Sequence, residues 1–274
     1  MSNPDTDDPV ARLAREAEEQ DGVAPFDEAT LMALANHPDR VRHWLRPDAV
    51  ALLTGEELSL VVRPSARGRG EGTALAAEVL RDVPAGELRA WSHGDHPAAA
   101  ALAARHGFDR ARELWVMRRP SSIALEGYST AGLELRGFEP GDEAEIVRVN
   151  AAAFAQHPEQ GAMDLANLAE RMAEPWFDPA GLITAWRGER LAGFHWTKRH
   201  DARHGEVYVI GVDPEAQGSG LGRVLLLAGL RHLVDGGAAE VSLYVESDNP
   251  AVRLYERAGF AHAPADTHVQ YVRP

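Results

Sequence analysis

Two glycine-rich runs hold the residues whose types and spacing best suit them to chemistry. Asp213-Pro214-Glu215-Ala216-Gln217-Gly218-Ser219-Gly220-Leu221-Gly222 follows an apolar, β-branched stretch, and Pro64-Ser65-Ala66-Arg67-Gly68-Arg69-Gly70-Glu71-Gly72 follows another. A strand, a glycine turn and a helix start make a phosphate cradle. The glycines let the backbone approach an anion closely, several N–H groups point at it, and the helix dipole adds favourable potential. No Gly-Lys-Ser/Thr follows either run, so a Walker loop is not indicated, and the spacing is not that of a dinucleotide fingerprint. A structural turn explains a single such run as well as a ligand site does. The two runs, however, carry their neighbours with them.

Pro64 and Pro214, Arg67 and Gln217, Gly70 and Gly220, and Gly72 and Gly222 each stand 150 residues apart. His106-Gly107-Phe108 then matches Ala258-Gly259-Phe260, and Arg118-Arg119-Pro120 matches Val272-Arg273-Pro274, with the offset drifting to 152 and 154. A duplicated domain with small insertions produces this order. The turn-rich stretch 120–132 reads as a linker, giving domains at 1–122 and 131–274. In the second copy, periodicity predicts strands at 133–138, 181–186, 191–198, 206–212, 240–246 and 268–272. It predicts helices at 144–155, 163–173, 221–234 and 251–258. The fold class is α/β, each copy a mixed, mostly antiparallel sheet flanked by helices. Fewer residues precede the glycine loop in the first copy, which is therefore expected to be truncated at its front by roughly two strands.

The 274 residues suit two modest domains, and 45% hydrophobic with 26% charged residues is an ordinary globular balance. A net charge of −14 argues against a nucleic-acid partner. With no cysteine, disulfides, thiolate metal sites and a cysteine nucleophile are excluded. The twelve histidines show no paired metal-ligand spacing, so no metal is expected. The acidic, polar start is not a signal sequence, and no apolar run is of membrane-spanning length. A cytoplasmic monomer without a membrane partner is expected.

The pattern [Gln/Arg]-x-x-Gly-x-Gly resembles the acyl-CoA pyrophosphate loop of the GNAT acetyltransferases. The second copy goes further. Asn150–Phe154, His157–Gly161, Trp176–Pro179, Gly193–Lys198, Glu206–Pro214 and Leu243–Asn249, with Asp21–Pro25 in the first copy, resemble the mycothiol synthase family of tandem GNAT proteins. That resemblance implies an acetyl-CoA-dependent N-acetyltransferase acting on the cysteinyl amine of desacetyl-mycothiol (Cys-GlcN-Ins), a small thiol-pseudodisaccharide. It implies Glu206 as general base and Tyr255 as general acid. Glu28, Glu159, Lys198, Glu206 and Tyr244 match substrate contacts. Ile210, Gly211 and Val212, with Gln217, Gly218, Ser219, Gly220, Leu221, Gly222 and Arg223, match the acetyl-CoA site, as do Asn249, Pro250, Ala251, Val252 and Arg253. Leu60, Val61, Val62, Gly68, Arg69, Gly70, Glu71, Gly72 and Thr73 match a second acetyl-CoA site in the first copy. Asn249 lies six residues before Tyr255, where many relatives have seven.

The chemistry is sound on its own terms. An α-amine with a reference pKa of about 7.7–8.0 needs only a weak base. Attack on the thioester is direct, and backbone N–H groups near Ile210–Val212 are candidates for the oxyanion. The repeat supplies a control: Ala103 stands five before Phe108, where Tyr255 stands five before Phe260. Glu56 aligns with Glu206, so the carboxylate alone does not separate the copies. Two other readings are an acetyltransferase for a different small amine and a non-catalytic acetyl-CoA sensor.

Overall fold

The computed structural model describes residues 8–130, 132–155 and 161–274. The chain divides into two compact units, Met1–Trp115 with Ala263–Pro274, and Val116–His262. The last dozen residues thus join the first unit, whereas the repeat pattern groups them with 131–274.

Unit one starts with α1 (Pro9–Asp21) and α2 (Glu28–Asn36). Asp8 and Asp27 cap them, each side chain accepting a backbone N–H of the first turn. Then come β1 (Val41–Arg46), β2 (Ala49–Thr54), β3 (Glu57–Val62), α3 (Glu71–Asp82), β4 (Leu88–Ser92), α4 (Pro97–Arg105) and the start of β5 (Asp109–Pro120). β1, β2 and β3 pair antiparallel, and β3 pairs parallel with β4. Along β4's other edge runs β11 (Ala261–Arg273), antiparallel, with Val269 opposite Ser92 and Tyr271 opposite Ala90. Val269 and Tyr271 enter one core with Leu75, Val79 and Phe108, which explains why this segment belongs here. Each strand of β1–β3 has six residues.

Unit two holds β6 (Glu134–Arg136), α5 (Glu143–Ala153), α6 (Leu165–Met172), β7 (Leu182–Arg187), β8 (Arg190–Arg199), β9 (His204–Val212), α7 (Leu221–Asp235), β10 (Glu240–Glu246) and α8 (Val252–Arg257). The strand order is β10-β9-β8-β7-β6. Only β9 and β10 are parallel; the other pairs are antiparallel. β7 and β8 are buried almost end to end because helices cover both faces. Leu182, Trp186, Leu191 and Phe194 pack with Ile146 and Val149 of α5. Ile183, Ala185 and Ala192 pack with Leu221, Leu225 and Ala228 of α7.

The predicted elements of the second copy all form, within a few residues of their expected ends except for the last strand, which starts at Ala261 rather than 268. The front of the first copy is more complete than expected. The order α1-α2-β1-β2-β3 repeats α5-α6-β7-β8-β9, so among the described residues only a counterpart of β6 is lacking. The shortfall lies mostly in strand length: β8 and β9 have ten and nine residues where β2 and β3 have six.

Candidate active site

The glycine loop of unit two leaves β9 through a single 3-10 turn at Pro214–Ala216. Gly218 and Gly220 then take φ of 75° and 83°, left-handed values that side chains resist. Gly220 caps α7 with no side-chain hydrogen bond, and no acidic residue lies in the first turn. The opening N–H groups of α7 therefore keep their affinity for an anion. Gln217 Nε2 donates back to Val212 O at 3.4 Å, closing the turn. Arg223 pairs with Glu126 of the preceding linker.

Beside the loop, the sheet opens. The β9–β10 ladder runs from His204 opposite Glu240 to Val207 opposite Leu243 and stops, while β9 continues to Val212 and β10 to Glu246. Ile210, Gly211 and Val212 lie on the parted section. Tyr244, just past the last rung, is 47% exposed. Asn249 Oδ1 accepts the N–H of Ala251 at 2.8 Å, so this side chain shapes the entry to α8.

Glu206 is the third residue of β9, one rung before the ladder ends, and is 6% exposed. Lys198 stands directly opposite it on β8, so the two share a face. A β-bulge falls just beyond: Trp196 pairs with Val209 and Thr197 with Val207, leaving Tyr208 as the extra residue. Tyr208 packs edge-on to Trp176 and Trp196, with ring centroids 5.0 and 5.6 Å away. The Lys198 ammonium lies 4.7 Å above the Trp176 ring and 5.2 Å from that of Tyr208, within cation–π range. Arg171 of α6 donates to the Tyr208 hydroxyl. Glu206 Oε2 meets His200 Nε2 at 2.6 Å.

Tyr255 lies on α8 with its ring edge-on to Phe260. Burial pushes its phenol up to about 12, so it holds its proton at neutral pH. His195 is fully buried, its Nδ1 2.8 Å from Leu225 O, and burial pushes it down to about 4. It is a neutral core residue.

The expected site residues thus fall into three groups. Lys198, Glu206, Tyr244, Tyr255 and the acetyl-CoA set 210–253 all belong to unit two. Glu28, half-buried at the start of α2, belongs to unit one. Glu159 lies outside the described residues. His200, Trp176, Tyr208 and Arg171 were not among the expected site residues, although Trp176 and Tyr208 lie in segments that carry the resemblance. The hairpin register would have found His200. Once Lys198 faces Glu206, His200 falls on the same face as their diagonal neighbour.

In unit one the loop geometry repeats: Gly68 and Gly70 have φ of 75° and 88°, and Arg67 Nε donates to Val62 O as Gln217 does to Val212 O. Phe108 N donates to Ala103 O at 2.9 Å and Phe260 N to Tyr255 O at 3.0 Å, which establishes the Ala103/Tyr255 correspondence in space. The carboxylates, in contrast to the sequence expectation, do differ. Glu56 sits in the turn before β3, its side chain 55% exposed and paired with Arg89, because β3 is too short to include it. α3 also carries Glu71 in its first turn, bound to Arg46 at 3.3 Å, and Asp21 grips Arg67 with two bonds of 2.7 Å. β3 and β4 part after Leu58 and Ala90, and an apolar cavity of about 90 Å³ lies there, lined by Leu58, Leu60, Trp91, Leu102, Ala103 and His106 among others.

The acetyltransferase (GNAT) family pattern matches residues 32–108 and 150–260, one stretch in each unit. The chain is 58% identical to a mycothiol acetyltransferase from a Nocardioides species, over 96% of each chain. It is 49% identical to the mycothiol acetyltransferase of Thermomonospora curvata, over 97% of this chain and 93% of that one. The chain belongs to the mycothiol acetyltransferases, a branch of the GNAT family. Among solved structures it resembles a tandem GNAT protein from the clavulanic acid biosynthesis pathway, with a TM-score of 0.70 at 20% identity, over 95% and 92% of the two chains. That likeness speaks for the tandem fold. In this family acetyl-CoA is the acyl donor, and the uncapped start of α7 beside the parted strands fits its pyrophosphate and pantetheine arm. Among the described residues no cluster of histidine and carboxylate side chains suits a metal ion, and no helix is long and apolar enough to cross a membrane.

Proposed function

We propose that the chain transfers the acetyl group of acetyl-CoA to the cysteinyl amine of desacetyl-mycothiol, yielding mycothiol and free CoA, in unit two. The observation that carries the site is Glu206, a buried carboxylate one rung before β9 and β10 part. The acceptor follows from the family.

In this reading the first-turn N–H groups of α7 and the glycine loop hold the pyrophosphate. Glu206 takes a proton from the ammonium, directly or through a water, and the freed amine attacks the thioester carbonyl. Backbone N–H groups on the parted section of β9 stabilise the oxyanion. As the C–S bond breaks, Tyr255 donates its hydroxyl hydrogen to the sulfur; the surplus proton on the acylated nitrogen is lost to water, which reprotonates the phenol and leaves the neutral amide. Lys198 and Tyr244 border the acceptor, and Glu159 adds a further contact. Unit one binds acetyl-CoA without turnover, because Ala103 replaces the acid and Arg89 engages Glu56. The enzyme works as a cytoplasmic monomer; the absence of cysteine suits a reducing compartment.

The test is steady-state release of free CoA from acetyl-CoA with the cysteinyl-glucosaminyl-inositol amine. Wild type turns over this acceptor in preference to polyamines. Glu206→Gln and Tyr255→Phe lower kcat by roughly 10²–10⁴-fold, with little change in acetyl-CoA affinity by calorimetry. CoA release with polyamines alone would overturn the acceptor, and wild-type rates in either variant would remove that residue from the mechanism.

A further inference from the structure

His200 is absent from the machinery above, yet its side chain meets the proposed base directly. Its Nε2 lies 2.6 Å from Glu206 Oε2, and the two side chains are 44% and 8% exposed. The backbone fixes this meeting. His200 follows β8, its N–H donating to His204 O at 3.0 Å, so the hairpin register carries on past Arg199 opposite Gly205. His200 and Glu206 are then diagonal neighbours on one face, a spacing that a long side chain spans. An ionised carboxylate only accepts, so Nε2 carries the hydrogen. One carboxylate oxygen is thereby engaged from the solvent side.

We propose that His200 is the positioning residue for Glu206: it anchors Oε2 and leaves Oε1 turned to the amine, so that the base meets its proton in one fixed orientation. The inference rests on the reading of Glu206 as base. Three features of the surroundings agree with it. Lys198, which also faces this side of the hairpin, has its ammonium over Trp176 and Tyr208. His204 and Asp201, in the same hairpin, bind each other at 2.9 Å. In the first unit the aligned Glu56 is paired with Arg89 instead, a guanidinium in place of an imidazole.

A carboxylate free to rotate would be displaced by about an ångström, a scale worth roughly 10–100-fold in rate. His200→Ala in the full chain is therefore expected to lower kcat by that factor at saturating acceptor, with KM for acetyl-CoA and Tm near wild type. Free imidazole restores part of the rate. His200→Gln, whose amide N–H reaches the same oxygen, stays within about three-fold of wild type. A readout independent of turnover accompanies these: the His200 Nε2–H gives a slowly exchanging downfield proton resonance in wild type that Glu206→Ala abolishes. Wild-type kcat in His200→Ala, a loss that neither imidazole nor Gln relieves, or a resonance indifferent to Glu206 would each overturn the proposal. Failure of wild type to use the acceptor would instead count against the functional reading, and the resonance would still decide the contact.

Discussion

Single side chains carry the division between chemistry and packing. His195 and His200 lie five residues apart, yet one is sealed in the core and the other stands at the surface. His195 Nδ1 donates to Leu225 O, and its imidazole is held neutral down to about pH 4. The unfolded chain protonates this ring near pH 6.5. The unfolded state then binds the extra proton, so stability falls as pH drops from 6.5 toward 4, by about 3 kcal/mol from this group. His195→Asn keeps an N–H for Leu225 O and removes the titration. Urea melts at neutral pH and near pH 4 should show the variant less stable at neutral pH but with a flatter acid decline; an unchanged decline refutes the assignment. His195 sits mid-strand in β8, which is buried almost end to end. His200 escaped notice because a histidine just past a strand reads as solvated surface until the hairpin register is known.

At the level of elements, the glycine loops were the most legible feature. Their function needs left-handed backbone, and only glycine adopts that cheaply. The structure separates the glycines by role. A Cβ added at Gly220 would touch nothing within 4 Å, so the penalty of Gly220→Ala is conformational alone, about 1–2 kcal/mol. At Gly222, inside α7, the nearest atoms would be 3.9 Å away and φ is ordinary. Gly220→Ala should thus lower Tm and weaken acetyl-CoA binding, whereas Gly222→Ala should leave Tm level or higher. Equal losses in both would contradict this division. The bulge at Tyr208 was not legible. It shifts pairing by one residue without any glycine or proline to mark it, and it builds the aromatic wall under Lys198.

Over the whole chain, the repeat gave the two-domain plan, and the family comparison agrees with it. The destination of the final strand was not written in the repeat. Residues 263–274 look like the end of the second copy because order along the chain says nothing about which edge a strand will join. Val269 and Tyr271 place it in the core of unit one. Deleting 263–274 should therefore strip hydrogen-exchange protection from β4 and α3 while α7 stays protected. Protection lost in α7 and retained in α3 would show the opposite dependence. An isolated 1–120 fragment is accordingly a poor test of unit one, since it lacks a strand of its own sheet.

That strand also sets an order of events in the cell. Synthesis proceeds from the N-terminus, and domains generally fold as they emerge. Here residues 116–262 are complete before the strand that finishes unit one has been made. The unit that begins first is therefore the last to close, and β4 waits throughout with a bare edge. Nascent chains stalled or clipped before residue 263 would present that edge to one another, a template for aggregation.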